Sequence, residues 1–183
     1  MDPKKNQAVI IWLTGMSGSG KSTHSKHLKV FFGKYGYSIK ILDGDAVRKN
    51  DDKKLGFGFK DVRDNNLRIA NMCLEIIDKF DYIIVPVISP YEEIRKEVRK
   101  ILSPMFHLIF VKADIDSLKA RDTKGLYAAA DRGEITDLIG YSKTNPYEIP
   151  SEVDFVIDTG GNSTIEESRR RLLEYINRAV LKN

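Results

Sequence analysis

The chain has 183 residues, enough for one sizeable core, and its 42% apolar and 31% charged content is that of a folded globular protein. Its formal charge of +4 suits an anionic ligand without requiring one. A single cysteine, Cys73, excludes an internal disulfide and any multi-cysteine metal site, and it sets the expectation of a reducing cytoplasm.

The start, Met1 to Gln7, is polar and lacks the apolar stretch of a signal peptide. Val9 to Leu13 reads as a buried strand, and Ser22 to Lys34 as a helix stopping near Gly36. Ser38 to Leu42 is a second strand. Asp61 to Phe80 carries Ile69, Cys73, Ile76, Ile77 and Phe80 at helical spacing. Tyr82 to Ser89 is nearly all apolar, as a strand covered on both faces should be. Glu92 to Leu102 reads as a helix, Phe106 to Val111 as a fourth strand and Val153 to Ile157 as a fifth. A last helix opens at Ser163, with Glu166 three residues on in a capping-box pattern. The apolar runs are far too short to cross a bilayer.

Strands alternating with helices predict an α/β fold: a mainly parallel five-stranded sheet with helices on both faces, in one domain spanning 1–183. Ligands on such sheets bind at the carboxyl ends of the strands, here residues 14–23, 43–48, 88–91 and the segment after 111. The stretch from Arg121 to Pro150 breaks the alternation. It reads as a lid over that edge, with a plain surface loop as the alternative.

Gly15-Met16-Ser17-Gly18-Ser19-Gly20-Lys21-Ser22 fits G-x-x-x-x-G-K-[ST], and Thr23 follows. The motif lies between a strand and a helix, the context it needs. Glycines let the backbone wrap a phosphate with its N–H groups inward, and the helix adds its positive end. Lys21 can reach the β- and γ-phosphates of ATP, and the Ser22 hydroxyl can ligate Mg²⁺ held by them. No N-K-x-D guanine motif is present, so a small-molecule kinase is favoured over a switch GTPase. His24, His27 and His107 read as packing residues and Cys73 as a core thiol.

Asp43, Asp45 and Arg48 follow the second strand and face the phosphate loop across the sheet edge. A carboxylate there can take the proton of an attacking hydroxyl or hold Mg²⁺ through water, and an arginine can grip an acceptor phosphate. The alternative is an Asp-Gly turn with a surface arginine.

With these motifs the chain resembles the adenylylsulfate (APS) kinases, a P-loop kinase family that phosphorylates the 3′-hydroxyl of adenosine 5′-phosphosulfate. The resemblance runs from Ile11 to about Thr159. It comprises Gly15 to Thr23, Leu42-Asp43-Gly44-Asp45 with Arg48, and Leu55-Gly56-Phe57 with Asp61, Asn65, Arg68 and Ile69. Ile88-Ser89-Pro90-Tyr91, Arg121 to Tyr127, Gly133-Glu134-Ile135 and Pro146-Tyr147-Glu148 complete it. The resemblance implies that Asp45 is the base or orienting group for the acceptor hydroxyl. It implies that Arg48 and Asn65 are acceptor ligands, Phe57 a wall of the acceptor-base pocket, and Ser89 a neighbour of the acceptor phosphate or sulfate. Lys124, Gly125 and Leu126 become lid residues over the acceptor, and Arg121 a residue against the ATP base. Asp43, Ile88 and Leu138 are counted with the acceptor side. The expected ligands are ATP, Mg²⁺ and a small nucleotide acceptor, with no nucleic acid or membrane partner, and a homodimer is the family's habit.

Three positions depart from the family pattern. Val62 stands where the family usually has arginine, and Arg63 beside it would point elsewhere on a helix. Leu138-Ile139-Gly140 replaces Phe-Thr-Gly, which removes the second aromatic wall of the base pocket. Tyr141 to Asn145 is about two residues longer than the usual link. One lost aromatic partner removes about 1–3 kcal/mol of base stacking. APS is therefore the first expectation for the acceptor, with cytidine diphosphoramidate as a rival and a non-catalytic nucleotide-binding module behind both.

Overall fold

The computed structural model describes residues 7–49, 56–161 and 163–181. The polar start at 1–6 and Leu55 lie outside them. Five parallel strands, β1 (Val9–Thr14), β2 (Ile39–Ile41), β3 (Tyr82–Pro86), β4 (Phe106–Lys112) and β5 (Phe155–Asp158), form one sheet in the order β2-β3-β1-β4-β5. β1 lies in the middle, with Ile11 beside Ile84 on one side and His107 on the other.

The period-2 alternation of β1 builds two cores. Ile10 and Trp12 face α3 (Phe59–Ile76) and α4 (Glu92–Leu102), where Ile69, Cys73, Ile94 and Val98 close over them. Ile11 and Leu13 face α1 (Lys21–Lys34) and α7 (Ile165–Tyr175), against Leu28, Phe32 and Leu172. Phe32 stacks on Tyr82 with centroids 3.7 Å apart, and removing that ring (Phe32→Ala) should cost about 3–5 kcal/mol. The expected sheet covered on both faces is thus observed.

Several boundaries differ from expectation for local reasons. β3 stops at Pro86, not Ser89: proline has no N–H for the ladder, and Ser89 turns left-handed. α3 starts two residues early and ends four early, where Lys79 N–H bonds back to Ile76 O in a turn. The capping box belongs to Thr164 and Glu167, one residue after the expected Ser163 and Glu166. The Ser163 N–H is instead drawn into a turn on Gly160 O. Three short helices carry no periodic signal long enough to read: α2 (Gly44–Lys49), α5 (Ile115–Arg121) and α6 (Leu126–Asp131).

The excursion at 121–150 holds α6, and its Tyr127 and Leu138 form a smaller apolar cluster with Leu118 of α5, with Met16 of the phosphate loop packed against it. The residues that lengthen its return, Tyr141 to Asn145, close a compact turn through Gly140 N–H to Asn145 O (2.6 Å). Among the described residues no helix is long and apolar enough to cross a membrane.

Candidate active site

The loop between β1 and α1 folds tightly because of its first glycine. A Cβ on Gly15 would lie 2.4 Å from Val111 O and 2.7 Å from Ser19 Oγ, so the loop could not cross β4 with any larger residue. Gly20 caps α1 without a side chain, and the first turn carries no acidic residue. The helix-end N–H groups are therefore left for an anion. Lys21 Nζ donates to Gly15 O (2.7 Å) and Met16 O (2.8 Å), folded over the loop it would share with a phosphate.

The sheet edge and the excursion enclose one cavity of about 1380 Å³. Ser17, Gly18, Ser19, Gly20, Lys21, Ser22 and Thr23 line its floor. Asp43, Asp45, Arg48, Phe57 and Ile88 line one side, and Arg121, Lys124, Leu126 and Leu138 the roof. The anticipated donor and acceptor residues therefore meet in one space. Four of them do not reach its wall: Gly15 lies beneath the loop, Gly125 caps α6, and Asn65 and Ser89 are buried behind the wall.

Asp43 Oδ1 accepts from the N–H groups of Asp45 (2.9 Å) and Ala46 (3.3 Å), so it anchors the first turn of α2 and aims Asp45 outward. Asp45 Oδ2 accepts from Lys124 Nζ at 2.6 Å, closing the roof onto the acceptor side. Both side chains are more than half exposed. Such a pair is worth about 0–1 kcal/mol, so an arriving ligand can open it at small cost. The α2 turn can lie this close to β3 because of Gly44, whose Cβ would sit 2.6 Å from Val87 Cγ2.

Burial pushes the Lys21 ammonium down to about 8, against the pull of Asp45 and with the repulsion of Lys124. Burial works to raise the Asp45 carboxyl. The hydrogen bond and charge of Lys124, with Lys21 and Lys49 behind it, outweigh that and hold the carboxyl below its ordinary value. Asp45 is thus ionised at neutral pH and able to accept a proton transiently. The oxygen donors around Lys21 are the Ser22 hydroxyl and the two aspartates, a set that fits a hard cation such as Mg²⁺. No group of three or more His, Cys, Asp or Glu able to hold a metal occurs among the described residues, so phosphate oxygens would have to complete the shell.

On the acceptor side the Arg48 guanidinium lies 4.3 Å over the Phe57 ring, and Arg48 also donates to Gly56 O. Phe57 is 44% exposed and lines the cavity. Opposite it the wall is aliphatic, made by Leu138, Ile135 and Ile139. Val62 points into the core, and Arg63 forks onto Glu97 of α4 at 2.6 and 2.9 Å, away from the cavity as its helical position requires.

Sequence reasoning missed four contributors. Thr159 Oγ1 lies 2.9 Å from Ser19 O and 3.0 Å from Lys112 O, its one proton shared between them, and its carbonyl receives Arg121 Nη2. Its place just after β5 was the available signal. Tyr127 OH donates to Ser17 O (2.8 Å), tying α6 to the phosphate loop, and nothing in its spacing announced that. The start of α7 (Thr164, Ile165, Ser168) and the buried His24 line the end of the cavity beyond Lys21.

The comparisons with known proteins agree with this geometry. The family model described as adenylylsulphate kinase matches residues 7–158. A curated adenylyl-sulfate kinase of Bacillus pumilus is 41% identical over 172 residues, covering 93% of this chain and 86% of the relative. One of Microcystis aeruginosa is 41% identical over 185 residues, covering 96% and 98%. Among solved structures, the Mycobacterium tuberculosis APS kinase CysC in complex with AMPPNP and APS matches with a TM-score of 0.81 at 30% identity, over 93% of this chain and 98% of that one. A P-loop kinase fold, a phosphate loop open at its helix end, an acceptor side facing it across one cavity and these likenesses have a single common reading: the chain belongs to the adenylylsulphate kinase family of phosphotransferases.

Proposed function

We propose that this chain is an ATP-dependent kinase that phosphorylates the 3′-hydroxyl of adenosine 5′-phosphosulfate, working as one domain whose 121–150 segment is a lid. The observation that carries the proposal is the continuity of the cavity from Lys21 through Asp45 and Lys124 to Phe57, which gives room for a phosphate donor and a nucleotide acceptor end to end. The names of the relatives and the two nucleotides in the M. tuberculosis complex support the same pairing of substrates.

In this reading the loop N–H groups and Lys21 hold the β- and γ-phosphates and neutralise charge as the γ-phosphoryl moves in line. Ser22 and the phosphates would hold Mg²⁺, which would supply further charge neutralisation. Asp45 leaves Lys124, orients the 3′-hydroxyl and receives its proton as the new P–O bond forms and the bond to ADP breaks. Lys124 is then free for the acceptor's anionic end, with Arg48 gripping beside it. Phe57 stacks the acceptor base, and Leu138 packs on its other face. Arg121, fixed between Gly18 and Thr159, borders the donor nucleotide. The lid excludes water and so limits loss of ATP by hydrolysis. The buried, lone Cys73 supports a reducing cytoplasm as the setting, and family habit supports a homodimer.

The aliphatic wall opposite Phe57 favours a second reading, a smaller pyrimidine acceptor such as cytidine diphosphoramidate. ADP release with ATP and Mg²⁺ decides between them. Turnover of APS with little on the cytidine compound is the expected result; the reverse preference moves the substrate assignment, and no acceptor-dependent release with either sinks the kinase proposal.

A further inference from the structure

The turn that follows β3 has no glycine, yet it needs one residue in left-handed backbone. Ser89 takes φ 46°, in the left-handed region that non-glycine residues seldom adopt. Its side chain is buried, and its Oγ has no hydrogen-bond partner among the described residues. What holds the turn is its carbonyl, which accepts from Arg95 Nη1 at 2.8 Å, with Thr14 Oγ1 3.2 Å away.

Arg95 lies on α4 and is 2% exposed. A guanidinium so far from water persists only when its donors are answered. Nε and Nη2 reach Glu92 Oε2 at 3.1 and 2.6 Å, and Nη2 also reaches Glu148 O at 2.8 Å. The ring of Tyr147 lies 5.7 Å beneath. The return segment of the excursion is fixed by the same cluster. Glu148 N–H bonds to Pro90 O, Glu92 N–H to Glu148 Oε2, and Ser151 Oγ to Glu92 Oε1. The Thr14 hydroxyl, one residue before the phosphate loop, donates to Ile88 O at 2.5 Å and accepts from Tyr147 OH at 2.9 Å. One buried cation therefore joins the turn behind the acceptor wall to the segment that brings the lid back to the sheet.

We infer that Arg95 is a positioning residue for the acceptor. It keeps the Ser89 turn left-handed and locks it to residues 146–151, so that Val87 and Ile88 of the cavity wall and the lid above them are set by one clamp. The inference rests on the kinase reading for its kinetic consequence, not for its geometry. Lysine keeps the charge but offers one nitrogen, which cannot reach Ser89 O, Glu148 O and Glu92 together.

The test uses the full chain with Arg95→Lys and Arg95→Met, by steady-state kinetics with ATP and APS and by amide hydrogen exchange. The expected result is a rise of at least tenfold in the KM for APS with the KM for ATP within twofold. Exchange should accelerate in both 87–91 and 146–151, with β5 and α7 unchanged. A lowered melting temperature with both KM values unchanged would make Arg95 merely structural and overturn the inference, as would an equal rise in both. If the wild-type chain does not turn over APS, the kinase reading fails separately. The exchange pattern then decides the clamp alone: acceleration in both segments supports it, and acceleration everywhere or in only one segment overturns it.

Discussion

Lys21 and Asp45 show most directly how placement sets chemistry. Neither has a structural task that a smaller residue could not fill: Lys21 bonds only its own loop, and Asp45 is held by a weak exposed pair. Lys21→Ala and Asp45→Asn should therefore lower kcat by two or more orders of magnitude while leaving the urea unfolding midpoint near that of the parent; wild-type turnover in either folded variant would refute the assigned roles. The lowered Lys21 also predicts a pH dependence of nucleotide binding. Below about 8 the free protein carries the ammonium that attracts phosphate. Above it a proton must be taken up on binding, so affinity for ATP falls as pH rises from 8 towards 9.5. Titration of a fluorescent nucleotide should show this fall, and Lys21→Arg, charged throughout, should flatten it.

Each element was legible to the extent that its neighbours left it free to follow its own pattern. The strands were readable as short apolar runs, because β1 buries both faces against separate cores, and α4 because period 3.6 survives where one face meets the core. The phosphate loop was readable because its spacing is fixed by phosphate geometry. Ser89 and Asn65 were placed in the cavity by motif, but the structure puts them behind its wall, since a motif gives chain position and not the direction of a side chain. Thr159 and Tyr127 became visible only in three dimensions, because the carbonyls they meet lie 140 and 110 residues away along the chain. At the α7 terminus both Ser163–Glu166 and Thr164–Glu167 satisfy the capping pattern, and the Gly160 turn selects the second. Thr164→Ala should thus destabilise the protein by about 0.5–2 kcal/mol, and Ser163→Ala by much less, as read from urea midpoints.

Across the whole molecule, stability should respond to acid through histidines buried without charge. Burial, and then the neighbouring His27, push His24 down to about 4, and His27 and His107 are lowered chiefly by burial. The folded chain therefore binds fewer protons than the unfolded one between about pH 6.5 and 4. The stabilisation is complete above 6.5 and is lost as pH falls through that window. Urea midpoints should drop between pH 7 and pH 5, with a smaller drop in His24→Leu. A midpoint that does not move would contradict the neutral burial of these rings. The same interior keeps Cys73 fully buried with its thiol pushed up to about 12, so the native chain offers thiol reagents nothing to attack. Ile149, 76% exposed on the return segment, can therefore be changed to cysteine and carry a single fluorophore with no background labelling, so that a signal change during turnover would report whether the 121–150 segment moves as the proposed lid.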